Sequence, residues 1–214
     1  DHIFPPDHRV EKEALSLIEA GFSVYLFCFH DKSSDIIEQN YKGIHLHKYP
    51  VNMFWIKKMR ALVNTVFDIY PHYLSKKIKY FINKNNIEAL HVHDLYLFGS
   101  VLKATKQLNI PIIGDLHENY VDALTGYRFS TTFPGNILIN IEKWRTTEKK
   151  WIYKMDYLIT VVEEMKKRIL PYVKKKDSVI VVDNSVDIDT FLKYEKDISI
   201  TEKYPDKFVL SYIG

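Results

Sequence analysis

Glycine is scarce in this 214-residue sequence: seven occur, and no two stand in the G-x-G spacing of a dinucleotide-binding turn. A nicotinamide-dependent dehydrogenase is therefore poorly supported. A Gly-rich phosphate loop and a G-x-S-x-G nucleophile turn are missing as well. Cysteine is nearly absent. The single Cys28 lies inside an apolar run, which excludes an internal disulfide framework and points to a reducing compartment. No stretch approaches the roughly 18–20 apolar residues of a membrane-spanning helix, and no signal-peptide pattern opens the chain. Charge of one sign is lacking too: 30 Lys and Arg face 27 Asp and Glu, and a net +3 is too small to imply nucleic acid.

What is present is a globular composition, 46% hydrophobic, enough for a sizeable core in one large or two small domains. Asp7 is placed to cap a helix in which Val10, Ala14, Leu17 and Ile18 recur at helical spacing, with Gly21 just past its end. Strands are expected over 22–29, 43–48, 87–92, 110–116, 157–162 and 179–182. Helices are expected over 53–84 (interrupted near Pro71), 98–108, 137–155 and 163–173, with a loop over 121–136. This alternation predicts an α/β fold, a Rossmann-like open parallel sheet with helices on both faces. After Asp183 the pattern turns polar. The expected organisation is a domain over 1–184 whose first strand is cut short, a linker over 185–206, and at 207–214 the opening strand of a further domain, so the sequence reads as part of a longer protein.

Ligands of open parallel sheets bind beyond the carboxyl ends of the strands. Three such ends are polar: His93-Asp94, His117-Glu118-Asn119 and Glu163-Glu164. The i, i+2 spacing of His91 and His93, followed by Asp94, also admits a metal-dependent hydrolase, and His45 and His47 repeat that spacing. Nothing in the sequence forces a third ligand onto either pair, and no metal is expected. Between Met53 and Lys84, seven Lys and Arg residues opposed only by Asp68 interleave with Phe54, Trp55, Tyr73 and Tyr80. That pattern suits an anionic membrane surface, while no nucleic-acid module accompanies it.

Several segments, taken in order, resemble the N-terminal half of family-4 glycosyltransferases of the GT-B architecture. They are Asp7-His8-Arg9-Val10-Glu11-Lys12-Glu13-Ala14, Leu90-His91-Val92-His93-Asp94, Gly114-Asp115-Leu116-His117-Glu118, and Tyr157-Leu158-Ile159-Thr160-Val161-Val162. The most specific runs from Val182 to Phe191 and is similar to an interdomain N-G-V-D-x-x-x-F signature, with Ser185 in place of the glycine.

The resemblance implies a retaining enzyme that moves a sugar from a nucleotide diphosphate-sugar to a polysaccharide, glycolipid or similar acceptor. It implies no cofactor beyond that co-substrate, and a donor site and glutamate pair in a second domain. His117 matches the histidine that reaches the donor sugar. His93 and Asp94 would line the cleft with Glu118 and Asn119. Arg9 would approach the acceptor or phosphates, where the opening Phe4-Pro5-Pro6-Asp7 lacks the paired glycines of many members, and Tyr127 and Arg128 would close over the acceptor. A cytoplasmic location follows, peripheral to the inner face of the cell membrane. A sugar- or nucleotide-binding module without catalysis is the non-enzymatic alternative.

Overall fold

The computed structural model describes residues 4–5, 7–31, 35–61 and 68–185, and within 186–208 only 188, 192–193, 202–204 and 207–208. The chain divides into a unit over Asp1–Asp183 and a second over Asn184–Gly214. In the second, Ile188 and Phe208 are exposed. The strand expected over 207–214 falls outside the described residues, apart from Lys207 and Phe208.

The first unit opens with α1 (His8–Glu19), whose N-cap Asp7 accepts from the amides of Arg9 at 3.2 Å and Val10 at 3.3 Å. Gly21 follows at φ 89°, the left-handed conformation that ends a helix cheaply only at glycine. The first three strands are β1 (Tyr25–His30), β2 (Ile37–Tyr41) and β3 (Ile44–Pro50), in the order β1-β3-β2. β1 and β3 are parallel, while β2 runs antiparallel to β3 through the two-residue turn Lys42-Gly43, both at positive φ. Sequence reasoning missed β2 because it is a polar edge: Glu38, Gln39 and Asn40 are all exposed and carry no alternation.

The helices α2 (Met53–Ala61) and α3 (Ile69–Asn85) replace the interrupted helix expected over 53–84. Asp68 is not helical and stands at the N-cap of α3, so Pro71 sits in the first turn of that helix, where a missing N–H leaves no helical bond unmade. Next come β4 (Leu90–His93), α4 (Leu95–Ala104) and β5 (Ile112–Leu116). The segment expected to be a loop folds instead into the short helices α5 (Tyr120–Gly126), α6 (Arg128–Thr131) and α7 (Gly135–Leu138). Val121 and Leu124 are fully buried there, so packing and not periodicity drives the helical turns. α8 (Ile141–Ile152), β6 (Tyr157–Thr160), α9 (Glu163–Ile169) and β7 (Val179–Val181) complete the unit. The strands β4-β5-β6-β7 form an all-parallel sheet in that order.

Helices cover both faces. On one, α3 and α4 close a core in which Phe29 and Tyr49 of the first sheet meet Phe81, Phe98, Leu116 and Leu158. On the other, Ala14 of α1 packs with Cys28, Ile44 and Leu46. α1 is also tied to the β2–β3 turn by its buried Glu11, which accepts from Lys42 Nζ at 2.5 Å and Tyr41 at 3.3 Å.

Gly114 is needed on β5 because α4 lies directly over it. A Cβ there would stand 2.6 Å from Phe98 Cζ and 3.0 Å from Leu158 Cδ2, and Phe98 is wholly buried. Gly114→Ala should therefore destabilise the domain by about 1–3 kcal/mol. A drop in the urea midpoint checks this, and an unchanged midpoint would show that Phe98 can yield.

Candidate functional site

The site begins with strand alternation. On β4, His91 and His93 point to the face opposite Val92, and β5 places Asp115 in register beside His93. Two residues further on, His117 leaves the end of β5 on the same side. Asp115 is 1% exposed and its Oδ2 is surrounded by imidazoles: His117 Nε2 at 2.9 Å, His91 Nε2 at 3.2 Å and His93 Nδ1 at 3.2 Å. The rings form a stack, with His91 and His93 centroids 4.5 Å apart and His93 and His117 nearly coplanar in tilt at 5.5 Å. From α1, Glu13 Oε2 reaches His93 Nε2 at 3.5 Å and His91 Nε2 at 3.9 Å.

The charges follow from this geometry. Burial opposes ionisation of Asp115, but the hydrogen bonds from His117, His91 and His93 outweigh it and hold the carboxyl well below its usual range. Burial likewise opposes a charge on His117. The Asp115 hydrogen bond and its negative charge overcome that and raise the histidine above its ordinary 6.5, with Arg9 working against the rise and Asp94 for it. Glu118 is raised, first by burial and then by the negative charge of Asp94, with Arg60 and Arg9 opposing.

Asp94 sits at the junction of β4 and α4 with φ 70° and ψ 134°, a conformation that costs a non-glycine residue about 1–3 kcal/mol. Its amide donates to Asp115 O at 3.0 Å and its Oδ2 accepts from Tyr96 at 2.6 Å. Arg60 lies over the Tyr96 ring at 4.3 Å. Behind them, Tyr96, Tyr120, Trp144 and Trp151 pack ring to ring at 5.3–6.0 Å.

The structure thus unites His117 and His93 by direct contact and adds Arg9, Asp94 and Glu118 through their charges. Asn119 instead turns to Asp122 at 2.5 Å. Tyr127 stacks on Phe129, and among the described residues neither Tyr127 nor Arg128 bonds to His117. Asp94 also does not face the imidazoles of the hydrolase alternative. Its carboxylate is bound to Tyr96, and Asp115 and Glu13 take that place. His45 stacks on Tyr25 away from this cluster. Sequence reasoning passed over Asp115, though a carboxylate at i−2 from a strand-end histidine shares its side of the strand, and that was the available signal. Glu13 and Arg60 gave none, because their approach is made across helices.

A parallel sheet with helices on both faces and polar side chains gathered at adjacent strand ends defines a Rossmann-like domain with its candidate site at the carboxyl edge. The family profile Glycosyltransferase Family 4 matches residues 9–190, and the chain belongs to that family. It is similar in fold to sucrose-phosphate synthase from Thermosynechococcus elongatus, with a TM-score of 0.56, 11% identity and 92% of each chain covered. It is also similar to an E. coli structure described as trehalose-6-phosphate bound with UDP-2-fluoro glucose, with a TM-score of 0.57, 12% identity and 90% of this chain covered. The chain spans 49% of that second protein. A comparison with curated proteins gives no match.

The pH dependence has a defined sign. A histidine raised above 6.5 by folding stabilises the fold below that pH and loses the contribution as pH rises through its folded value. A carboxyl depressed below 3.8 stabilises above that pH and loses the contribution only as pH falls through its folded value. The pair contributes most between the two. Asp115→Asn should cost about 3–5 kcal/mol near pH 5, the price of breaking a buried pair. The difference from wild type should narrow toward pH 9, as read by urea denaturation across pH. A difference that does not change with pH would mean His117 is not charged in the fold.

Proposed function

We propose that this chain is the acceptor-side half of a retaining glycosyltransferase that uses a nucleotide diphosphate-sugar to extend a polysaccharide, glycolipid or similar acceptor. The observation that carries the reading is the state of His117. Its Nε2 is engaged by Asp115, while its Nδ1 is buried with no hydrogen-bond partner among the described residues. A buried imidazole donor left open is costly unless something fills it. A sugar hydroxyl delivered by a second domain supplies that partner.

In this mechanism Asp115 orients His117 and keeps it cationic. The imidazolium donates from Nδ1 to the donor sugar, and its charge offsets the negative charge that develops as the nucleotide diphosphate departs. Asp94 and Glu118 border the cleft, and Arg9 supplies positive charge toward phosphates. The donor pocket itself belongs to the second domain of the full-length enzyme. Exposed Phe129, Phe133 and Ile137 around α6 and α7 give an apolar rim beside Tyr127 and Arg128 that suits a lipid-linked acceptor.

The full-length enzyme, supplied with a panel of sugar nucleotides, tests this. His117→Ala should lower kcat by about 10²–10³-fold with the fold intact by circular dichroism. Turnover equal to wild type would remove His117 from the mechanism.

The membrane assignment is a separate proposal, a peripheral position on the inner face of the cell membrane. Phe54 and Trp55 on α2 are 60% and 59% exposed, and Lys58 lies 3.9 Å over the Phe54 ring. Tyr73 and Tyr80 continue the exposed aromatics along α3 with Lys76, Lys77 and Lys79. Aromatic rings beside lysines suit the interface of an anionic bilayer. Flotation should recover the protein with phosphatidylglycerol vesicles and not with phosphatidylcholine alone, and Phe54→Ala with Trp55→Ala should weaken recovery. Equal recovery with both vesicles would sink the electrostatic reading.

A further inference from the structure

We propose that Glu13, His91, His93 and Asp115 form a binding site for one divalent transition-metal ion, best matched by zinc. One donor atom from each of these four residues falls within 4.8 Å of the others, two from β4, one from β5 and one from α1. Ligand atoms at the 2.0–2.1 Å of zinc–nitrogen and zinc–oxygen bonds lie about 3.3 Å apart at the corners of a tetrahedron. Asp115 Oδ2 to His91 Nε2, at 3.2 Å, matches that edge, and Glu13 Oε2 to His91 Nε2, at 3.9 Å, is somewhat longer. His93 turns Nδ1 to Asp115 at 3.2 Å and Nε2 to Glu13 at 3.5 Å, and a bound ion would take one of the two nitrogens.

Polar satisfaction points the same way. Asp115 Oδ2 faces three imidazole nitrogens, one more than its lone pairs accommodate in ordinary hydrogen bonds, while its Oδ1 and Glu13 Oε2 are buried with no hydrogen-bond partner among the described residues, Glu13 Oε2 meeting His93 and His91 only at 3.5 and 3.9 Å. Two carboxylates set against His91 and His93 form an arrangement that a cation between them would complete. Two imidazole nitrogens with two carboxylate oxygens select a borderline ion such as zinc over magnesium or calcium, which take oxygen ligands. The ladder between β4 and β5 fixes three of the ligands in place, and the fourth comes from a capped helix. All four ligands are protein side chains, the pattern of a structural site. The ion would pin α1 to the sheet. Asp115 would be shared between the ion and His117, which donates to the same carboxylate from outside the ligand set.

This inference stands apart from the glycosyl-transfer reading and is tested without substrate. The protein, purified without a histidine tag and stripped with chelator, is titrated with zinc chloride and, separately, with cobalt(II) chloride. One zinc per chain should survive dialysis by elemental analysis, and cobalt should give the visible bands of a four-coordinate ion. Glu13→Gln and His93→Gln should each weaken zinc binding by about tenfold or more, while His45→Gln leaves it unchanged. Glu13 lies on the surface of α1 with its side chain 32% exposed, so its glutamine variant keeps the test sound if His93→Gln fails to fold. Zinc well below one per chain, six-coordinate cobalt spectra, or full zinc retention in Glu13→Gln would overturn the proposal.

Discussion

A carboxylate removed from water must be answered by donors or it does not stay ionised, and in this domain Asp115 is answered by imidazoles. That constraint organises the carboxyl edge of the second sheet. β4 and β5 must be parallel neighbours in a register that sets His93 beside Asp115. β5 must carry glycine at position 114 so that α4 can close over the strand and hold that register. The chain must then turn sharply at Asp94, where the amide bonds to the backbone of the same aspartate. Packing and site are therefore one problem: the contacts that bury Phe98 and Leu116 are the contacts that align the histidines.

The cluster has two sides with different chemistry. Toward the strand end, His117 keeps one ring nitrogen on Asp115 and one open, in a field shaped by Arg9, Asp94 and Glu118. Beside it, His91 and His93 lie within ion-pair distance of both Asp115 and Glu13. A carboxylate placed between these layers couples them, because whatever fixes its orientation on one side fixes the donor geometry on the other. The aromatic series from Tyr96 to Trp151 adds stiffness below, joining α4, α5 and α8 into one floor beneath the strand ends.

Much of this was legible from local pattern. The Asp7 cap, the Gly21 stop and the apolar run of β1 announce themselves because each depends on neighbours within a few residues. The strand-end histidines were legible for the same reason. β2 was hidden because its polar residues face solvent along an edge, and α5 was hidden because its burial comes from packing on α8, outside the window in which local periodicity is read, while α6 and α7 pack on each other. Pro71 misled in the opposite way. It breaks the interior of a helix but is neutral in a first turn, and only the position of the preceding residues decides which applies.

By itself the sequence determined the alternation of strands and helices, the polar strand ends and the family to which their order belongs. The first two are encoded in periodicity and spacing, which survive without knowledge of contacts, and the third rests on the resemblance of its segments to those of a known family. Only the tertiary structure decided which charges meet. It took the carboxylate role from Asp94, which turned to Tyr96, and gave it to Asp115, and it brought Glu13 across from α1. The reason is physical: an ion pair depends on distances of a few ångströms between chains far apart in sequence, and those distances are set by the packing of the whole domain.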